Sequence, residues 1–328
     1  MKKILVLTAS IFTFCFAFAQ EKDGGEAEGQ DRESMAVDVK GTQWSFQLAS
    51  IESHKNNPLE NSGIGKNLMS ALPAEEGSWL KDPITGCGVW NSAPKGNEVI
   101  SWSGECQDGK ASGHGVLVWL EDGKIVGRFK GTMANGKAEG RGKLEFEVED
   151  GFALYDGDFR NSEMHGRGVL LFPDKSRAEG DFSHDNMNGY IEATIADGGS
   201  YEGEVRDNLP HGKGHQITPE GEEYYGEFVD GKRNGKGILL LTNGDIYEGQ
   251  FKDGLANGVG NLSTVDEGAY EGQFKNGTPN GEGVFTSPGG DVARGRFVNG
   301  EPEGKIVITL KSGGTREETW KNGKKVEL

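Results

Sequence analysis

From Trp102 onward, apolar and polar residues alternate in short bursts that recur along the chain. Ten segments align when they start at Trp102, Phe129, Tyr155, Ala178, Tyr201, Tyr224, Tyr247, Tyr270, Ala293 and Arg316. After two slightly longer units the spacing is 23 residues throughout. The clearest pair is YEGQFKDGLANGVG at 247–260 and YEGQFKNGTPNGEG at 270–283. Aromatic, Gly and apolar residues stand at offsets 0, 2 and 4, with polar residues such as Glu248 and Gln250 between them. That period of two predicts a strand with one buried face. Offset 7 is Gly in seven units and Ser162, Asp185 or Asn208 in the others, which predicts a turn. A second strand follows, with Gly at offsets 11 and 13 and usually an apolar residue at offset 15. Glycine weakens a strand interior, so these glycines are expected to leave room for rings of the adjoining strand. Each unit thus reads as one β-hairpin. The ten together predict an all-β, elongated, twisted antiparallel meander, with a core supplied by stacking of neighbours.

Composition first leaves two readings open and the repeat then decides between them. Gly accounts for 54 of the 328 residues and the net charge is −17. Leu, Ile, Val and Phe make up only 70 residues. Such a chain is either disordered or built on an architecture that places its glycines and needs little apolar bulk. Of the 54 glycines, 44 lie in 102–328, and 32 of these occupy the four repeat offsets. Disorder does not place glycine in register. The same scarcity of apolar residues argues against a conventional large globular enzyme core.

The remainder of the chain is organised differently. Residues 1–19 have a basic start (Lys2, Lys3), an apolar run from Ile4 to Phe18, and a small-x-small end at Ala17-Phe18-Ala19. This is the pattern of an export signal, with the mature chain expected in the periplasm or outside the cell. Residues 20–40 are acidic and Gly-rich and read as a flexible linker. The segment 41–78 has no assigned fold, although Trp44, Phe46 and Leu48 alternate as in a strand. Trp79 lies 23 residues before Trp102, and Gly86 falls at offset 7, so 79–101 reads as a degenerate opening unit. With Cys15 removed by export, Cys87 and Cys106 remain, and in an oxidising compartment they are expected to pair. Such a bond would staple the opening unit to the first clear repeat. At the other end Arg316, Glu318 and Glu327 replace the aromatic, Gly and Gly, which suits a polar end cap.

This unit resembles the MORN repeat (membrane occupation and recognition nexus), a Y-x-G-x-F/W-x-x-G-x-x-x-G-x-G hairpin, over residues 102–328. CGVWN at 87–91 followed by WSGEC at 102–106 is also similar to the N-terminal edge of exported bacterial members. The resemblance implies an interaction or scaffold role. Some members are linked to phospholipid binding, others to dimerisation or to an attached enzymatic domain. Ala178, Ala293 and Arg316 lack the leading ring, and Ile191 and Ile306 replace Gly, so those units depart from the family pattern.

A search for chemistry finds little. Gly131 to Ala138 imitates a phosphate loop, but Ala138 stands where Ser or Thr would hold magnesium, and its glycines are repeat positions. His211 and His215 are four apart on an expected strand, which is not the helical metal-ligand geometry. No cofactor, metal or catalytic residue is expected. The acidic residues Glu202, Glu204, Glu227, Glu248 and Glu271 read either as a solvated face or as a row for a cation or basic partner. Tyr201, Tyr224, Tyr247 and Tyr270, with Phe228, Phe251 and Phe274, are the candidate interaction surface, the alternative being repeat core. The expected function is a non-enzymatic, exported scaffold binding a protein partner, with self-association as a further option. The alternatives are a lipid-associated protein, which the negative charge disfavours, and a hydrolase using paired carboxylates. The acidity also argues against nucleic acid.

Overall fold

The computed structural model describes residues 77–92, 94 and 96–326. The export signal at 1–19, the linker at 20–40, the alternating run at Trp44–Leu48 and the rest of 41–76 lie outside the described residues. Among the described residues there are 23 strands and no helix. They divide into two units, split after Pro219.

The first unit opens with a short hairpin, β1 (Ser78–Lys81) and β2 (Gly88–Asn91), in which Trp79 faces Trp90 across the pair. Gly86, at φ 71, makes its turn. Asp82 fixes that turn by accepting the Ile84 and Thr85 amides at 2.7 and 3.0 Å. Next come β3 (Glu98–Trp102) and β4 (Glu105–Gln107), both paired with β5 (Lys110–Glu121). Successive antiparallel neighbours follow: β6 (Lys124–Ala134), β7 (Lys137–Val148), β8 (Gly151–Arg160), β9 (Glu163–Leu171), β10 (Arg177–Ser183), β11 (Asn186–Thr194), β12 (Ser200–Arg206) and β13 (Leu209–Ile217). The second unit repeats the scheme through β14 (Glu223–Val229), β15 (Lys232–Leu240), β16 (Ile246–Lys252), β17 (Leu255–Thr264), β18 (Gly268–Lys275), β19 (Thr278–Thr286), β20 (Val292–Val298), β21 (Glu301–Thr309), β22 (Thr315–Lys321) and β23 (Lys324–Lys325). The repeat is therefore a meander of hairpins, as its period of two predicts.

Two features shape each hairpin. The first is its turn. Offset 7 has positive φ in all ten units, and so does offset 6, from Asp108 (φ 50) to Asn322 (φ 49). Two consecutive left-handed residues define a type I′ turn, whose twist matches that of the flanking strands. Asp or Asn at offset 6, present in nine units with His184 in the tenth, is the residue choice such a turn needs. Successive turns are tied together. The amide of residue 7 donates to the offset-9 carbonyl of the previous unit, as from Gly277 to Ala256 at 2.9 Å and from Asp185 to Met164 at 3.1 Å. Where residue 7 is not Gly, its side chain returns the bond. Ser162 Oγ accepts the Ala138 amide at 2.9 Å, while Asp185 Oδ1 and Asn208 Oδ1 accept those of Met164 and Met187 at 2.7 Å.

The second feature is a line of glycines across the strands. In the second unit Gly226, Gly237, Gly249, Gly260, Gly272, Gly283 and Gly295 are register partners in succession. In the first unit Gly115, Gly131, Gly142, Gly157, Gly168 and Gly180 do the same. The register shifts just beyond this line in the eight hairpins that start at Phe129 through Ala293, for instance between Gly249 and Phe251. A bulge of this kind bends the bulged strand and increases the local twist.

Candidate functional site

The rings sit over the glycine line. A Cβ added at Gly168 or Gly260 would overlap the ring of Tyr155 or Tyr247. In the second unit the rings interlock edge to face. Tyr247 meets Phe251 at 5.1 Å and Phe274 at 4.9 Å, and Tyr270 meets Phe274 at 5.2 Å and Phe297 at 5.1 Å. Each such pair contributes about 0.5–1.5 kcal/mol beyond simple burial. The bulge leaves the offset-3 carbonyl free of its ladder, and the tyrosine hydroxyl donates to it. The distances are 2.6 Å from Tyr201 to Glu204, 3.0 Å from Tyr224 to Glu227 and from Tyr247 to Gln250, and 3.2 Å from Tyr270 to Gln273. This explains tyrosine rather than phenylalanine at offset 0. Burial pushes these phenols up, to about 12 for Tyr224 and Tyr270.

The candidate surface residues Tyr201, Tyr224, Tyr247, Tyr270, Phe228, Phe251 and Phe274 are therefore brought together as core. None is more than 3% exposed. A partner approaching this face would meet the atoms that cover them.

Glu202, Glu204 and Glu227 of the acidic row also have a local explanation. Offset 3 carries Asp181, Glu204, Glu227, Gln250 and Gln273. Each side chain accepts the offset-12 amide of its own hairpin, from Tyr190, Lys213, Lys236, Val259 and Glu282, at 2.9–3.3 Å. It lies against the Gly at offset 11, where a Cβ would strike it, as at Gly235 against Glu227 and Gly258 against Gln250. Sequence reasoning gave both strand glycines to the rings. The structure gives offset 13 to the ring and offset 11 to this clasp. Glu and Gln serve alike, so the clasp needs an oxygen acceptor and not a charge. Glu202 instead accepts the Tyr190 hydroxyl at 2.6 Å. No group of three or more His, Cys, Asp or Glu residues able to hold a metal occurs among the described residues.

Cys87 and Cys106 are bonded, with Cα atoms 5.6 Å apart. Cys87 is fully buried and Cys106 is exposed. The bond ties the residue just before β2 to β4, and the Trp90 amide donates to the Gly136 carbonyl at 2.9 Å. The opening hairpin is thereby fixed beside β5–β8. These strands run 10–12 residues, against seven in β10, β12, β14 and β16.

Where the hairpin meets these longer strands there is a cavity of about 390 Å3, lying wholly in the first unit. Leu117, Phe129, Met133 and Phe159 form its apolar floor, and Trp90 and Trp119, both half-buried, stand in its walls. Asn91, Ser92, Lys137, Asn161, Glu163 and Asp185 supply its polar rim. The Lys137 ammonium lies 5.8 Å from the centre of the Trp90 ring. Its volume is in the range of small-ligand and side-chain pockets. Of its two carboxylates, Asp185 already holds the Met164 amide as the acceptor of its turn. Sequence reasoning missed this cavity. The added strand length of the first two units was its only signal.

Comparison with known proteins agrees with the hairpin geometry. The MORN repeat profile matches residues 102–119, 129–148, 155–177, 201–222, 224–246, 247–266 and 270–292. The chain belongs to the MORN-repeat family. MORN repeats occur in scaffold and binding proteins and mediate protein or membrane interactions. The profile leaves out 178–200 and the segment after 292, the places where Ala178 and Ala293 replace the ring. No curated protein matches the chain. Among solved structures, one titled "Streptogramin B lyase structure" aligns at 12% identity over 68% of this chain and 73% of that one, with a TM-score of 0.14. A score that low carries no argument about fold or function.

Proposed function

We propose that this MORN-repeat protein is an exported, non-enzymatic binding module that takes a segment of a partner protein into the cavity beside Trp90 and Trp119. The observation that carries this reading is the contrast between the two aromatic sets. The tyrosine ladder is sealed, whereas the two tryptophans are half-buried over an apolar floor with a polar rim. Aromatic walls around an apolar floor are what anchor residues of a protein partner seek. Export supplies the compartment in which the bond between Cys87 and Cys106 persists and holds the Trp90 wall in place. Asp181, Glu204 and Glu227 serve as clasps and Asp185 as a turn acceptor, which gives these acids structural roles and favours binding over a hydrolase. A net charge of −17 gives the membrane mode no electrostatic help.

A photo-crosslinking residue placed at Lys137 tests this directly. In the exported fraction it is expected to capture a protein whose yield drops at least tenfold with Trp119→Ala. Capture that is indifferent to Trp119, or no capture of any protein, would overturn the reading.

A further inference from the structure

We infer that the partner segment docks at this cavity as an extended strand continuing the line of β2, with one of its backbone amides donating to the Ser162 carbonyl. This rests on the reading of the cavity as a docking site and adds how the segment is held. β2 already displays the mode. It runs across the hairpin turns, and alternate amides donate to the offset-7 carbonyls of successive units. The bonds run from Gly88 to Gly109 at 2.8 Å and from Trp90 to Gly136 at 2.9 Å. The other edge of β2 is paired with β1.

Ser162 holds the next carbonyl in that row. It stands at offset 7 of the following unit, with φ 69 against 77 at Gly136 and 74 at Gly109. Its amide donates to the Ala138 carbonyl as that of Gly136 donates to Ala111, both at 2.9 Å. A shared backbone conformation aims the three carbonyls alike. β2 ends at Asn91, one residue short of the amide that would continue the pattern. Among the described residues the Ser162 amide and hydroxyl are both engaged, whereas its carbonyl accepts no hydrogen bond. An open backbone acceptor at the end of a row that already holds a strand is what a further strand extends.

That acceptor belongs to the cavity. Ser162 lines it together with Trp90, Trp119 and Asn161. Trp90 exemplifies a donating residue there, since its amide is bonded to Gly136 while its ring forms a wall. The segment that fits is therefore extended, and its donating residue is not proline, which has no N–H to give. That residue carries a large apolar side chain, laid on the floor of Leu117, Phe129, Met133 and Phe159. Backbone bonds give such a segment its affinity, and the pocket for the side chain gives its specificity.

The test uses the whole purified chain and a fluorescent peptide that copies residues 86–92, with serine in place of Cys87. In a strand the Gly88 and Trp90 amides of that peptide lie on one edge and the Val89 amide on the other. Replacing an amide N–H by an ester oxygen removes the donor and keeps the shape. At Gly88 or Trp90 this replacement is expected to weaken binding at least tenfold, and at Val89 less than twofold. Trp119→Ala in the protein is expected to weaken binding of the unaltered peptide at least tenfold, with far-ultraviolet circular dichroism confirming an intact fold. An equal response to the ester at all three positions, or a loss confined to Val89, overturns the strand mode while the docking site stands. Binding that is indifferent to Trp119, or no binding at all, also overturns the strand mode, and the Lys137 crosslink then decides the docking site on its own.

Discussion

Two neighbouring hairpins of the first unit solve one packing problem in opposite ways. In 155–177 a ring at offset 0, Tyr155, lies over a Gly at offset 13, Gly168, and meets Phe159 at 5.2 Å and Phe182 at 5.1 Å. In 178–200 the ring is gone. Ala178 stands at offset 0 and Ile191 at offset 13, and the Ile191 side chain occupies the space above Gly180 that a ring would otherwise fill. Ala178 and Ile191 are both buried, and the bulge between Gly180 and Phe182 survives. The second unit repeats the exchange with Ala293 and Ile306. What the fold requires is thus a filled space above the glycine line. Which strand fills it is free. A profile built on the ring-and-glycine solution passes over the other one, although the backbone is the same.

The exchange is not complete. The Ala hairpins lack the hydroxyl that bonds the offset-3 carbonyl. In the second unit a small void of about 10 Å3 remains beside Ala293, Ile306 and Trp320. The two solutions should therefore differ measurably in their response to substitution.

The largest effect is expected for Tyr247→Ala, which removes a fully buried ring with no isoleucine opposite to replace it. It should cost about 3–5 kcal/mol in chemical denaturation. A loss below 1 kcal/mol would mean that the ladder collapses around the gap. Next is Gly258→Ala, where positive φ and the overlying Gln250 side chain both oppose a methyl. The expected cost is about 1–3 kcal/mol, whereas Gln250→Glu should be near neutral because Glu227 serves the same clasp. Tyr247→Phe, which strips only the hydroxyl, should cost about 1 kcal/mol by leaving the Gln250 carbonyl unpaired. Ala293→Val should add a few tenths of a kcal/mol by filling the void.

Alkaline pH separates the two hairpin types without any substitution. A buried tyrosine has its phenol raised in the folded state by burial, to about 12 in Tyr224 and Tyr270. Its stabilising contribution is complete below the unfolded value of about 10 and is lost as pH rises through the folded value. The ring-bearing hairpins should therefore unfold between about pH 10 and 12, with phenolate absorbance rising together with the loss of β-structure. Exposed Tyr190 and Tyr225 also have raised phenols, each through a hydroxyl bonded to a carboxylate, Glu202 and Glu223 respectively. Phenolate formed by the ladder tyrosines while the sheet remains intact would contradict the burial account.

Most of this fold was legible because its signals are local and repeated. The period of two, the turn at offset 7 and the ring-over-glycine contact all follow from side chains within one 23-residue unit. The bond between Cys87 and Cys106 was legible from the expectation that an export signal carries Cys15 away. Three things were not. Offset 6 shares the turn, but Asp and Asn are so common in polar positions that they pass as solvated surface. The clasp hides in the same way, because Glu204 and Gln250 look like exposed polar residues until the bulge turns a backbone amide toward them. The cavity depends on how an irregular opening hairpin meets strands of unusual length, and that contact is not local in sequence. Of the two readings that the sequence left open for Tyr201, Tyr224, Tyr247 and Tyr270, an interaction surface or repeat core, their burial fits the core.

The central claim is that ring and isoleucine are alternative fillings of one space. A double-mutant cycle on Tyr247→Ala and Gly260→Ile tests it most directly. Each single change should be strongly destabilising, the first by leaving a hole and the second by overlapping the Tyr247 ring. The double variant, which copies the Ala178 and Ile191 hairpin, should recover at least ~2 kcal/mol relative to the sum of the two losses. Losses that simply add, with no recovery in the double variant, would contradict the account.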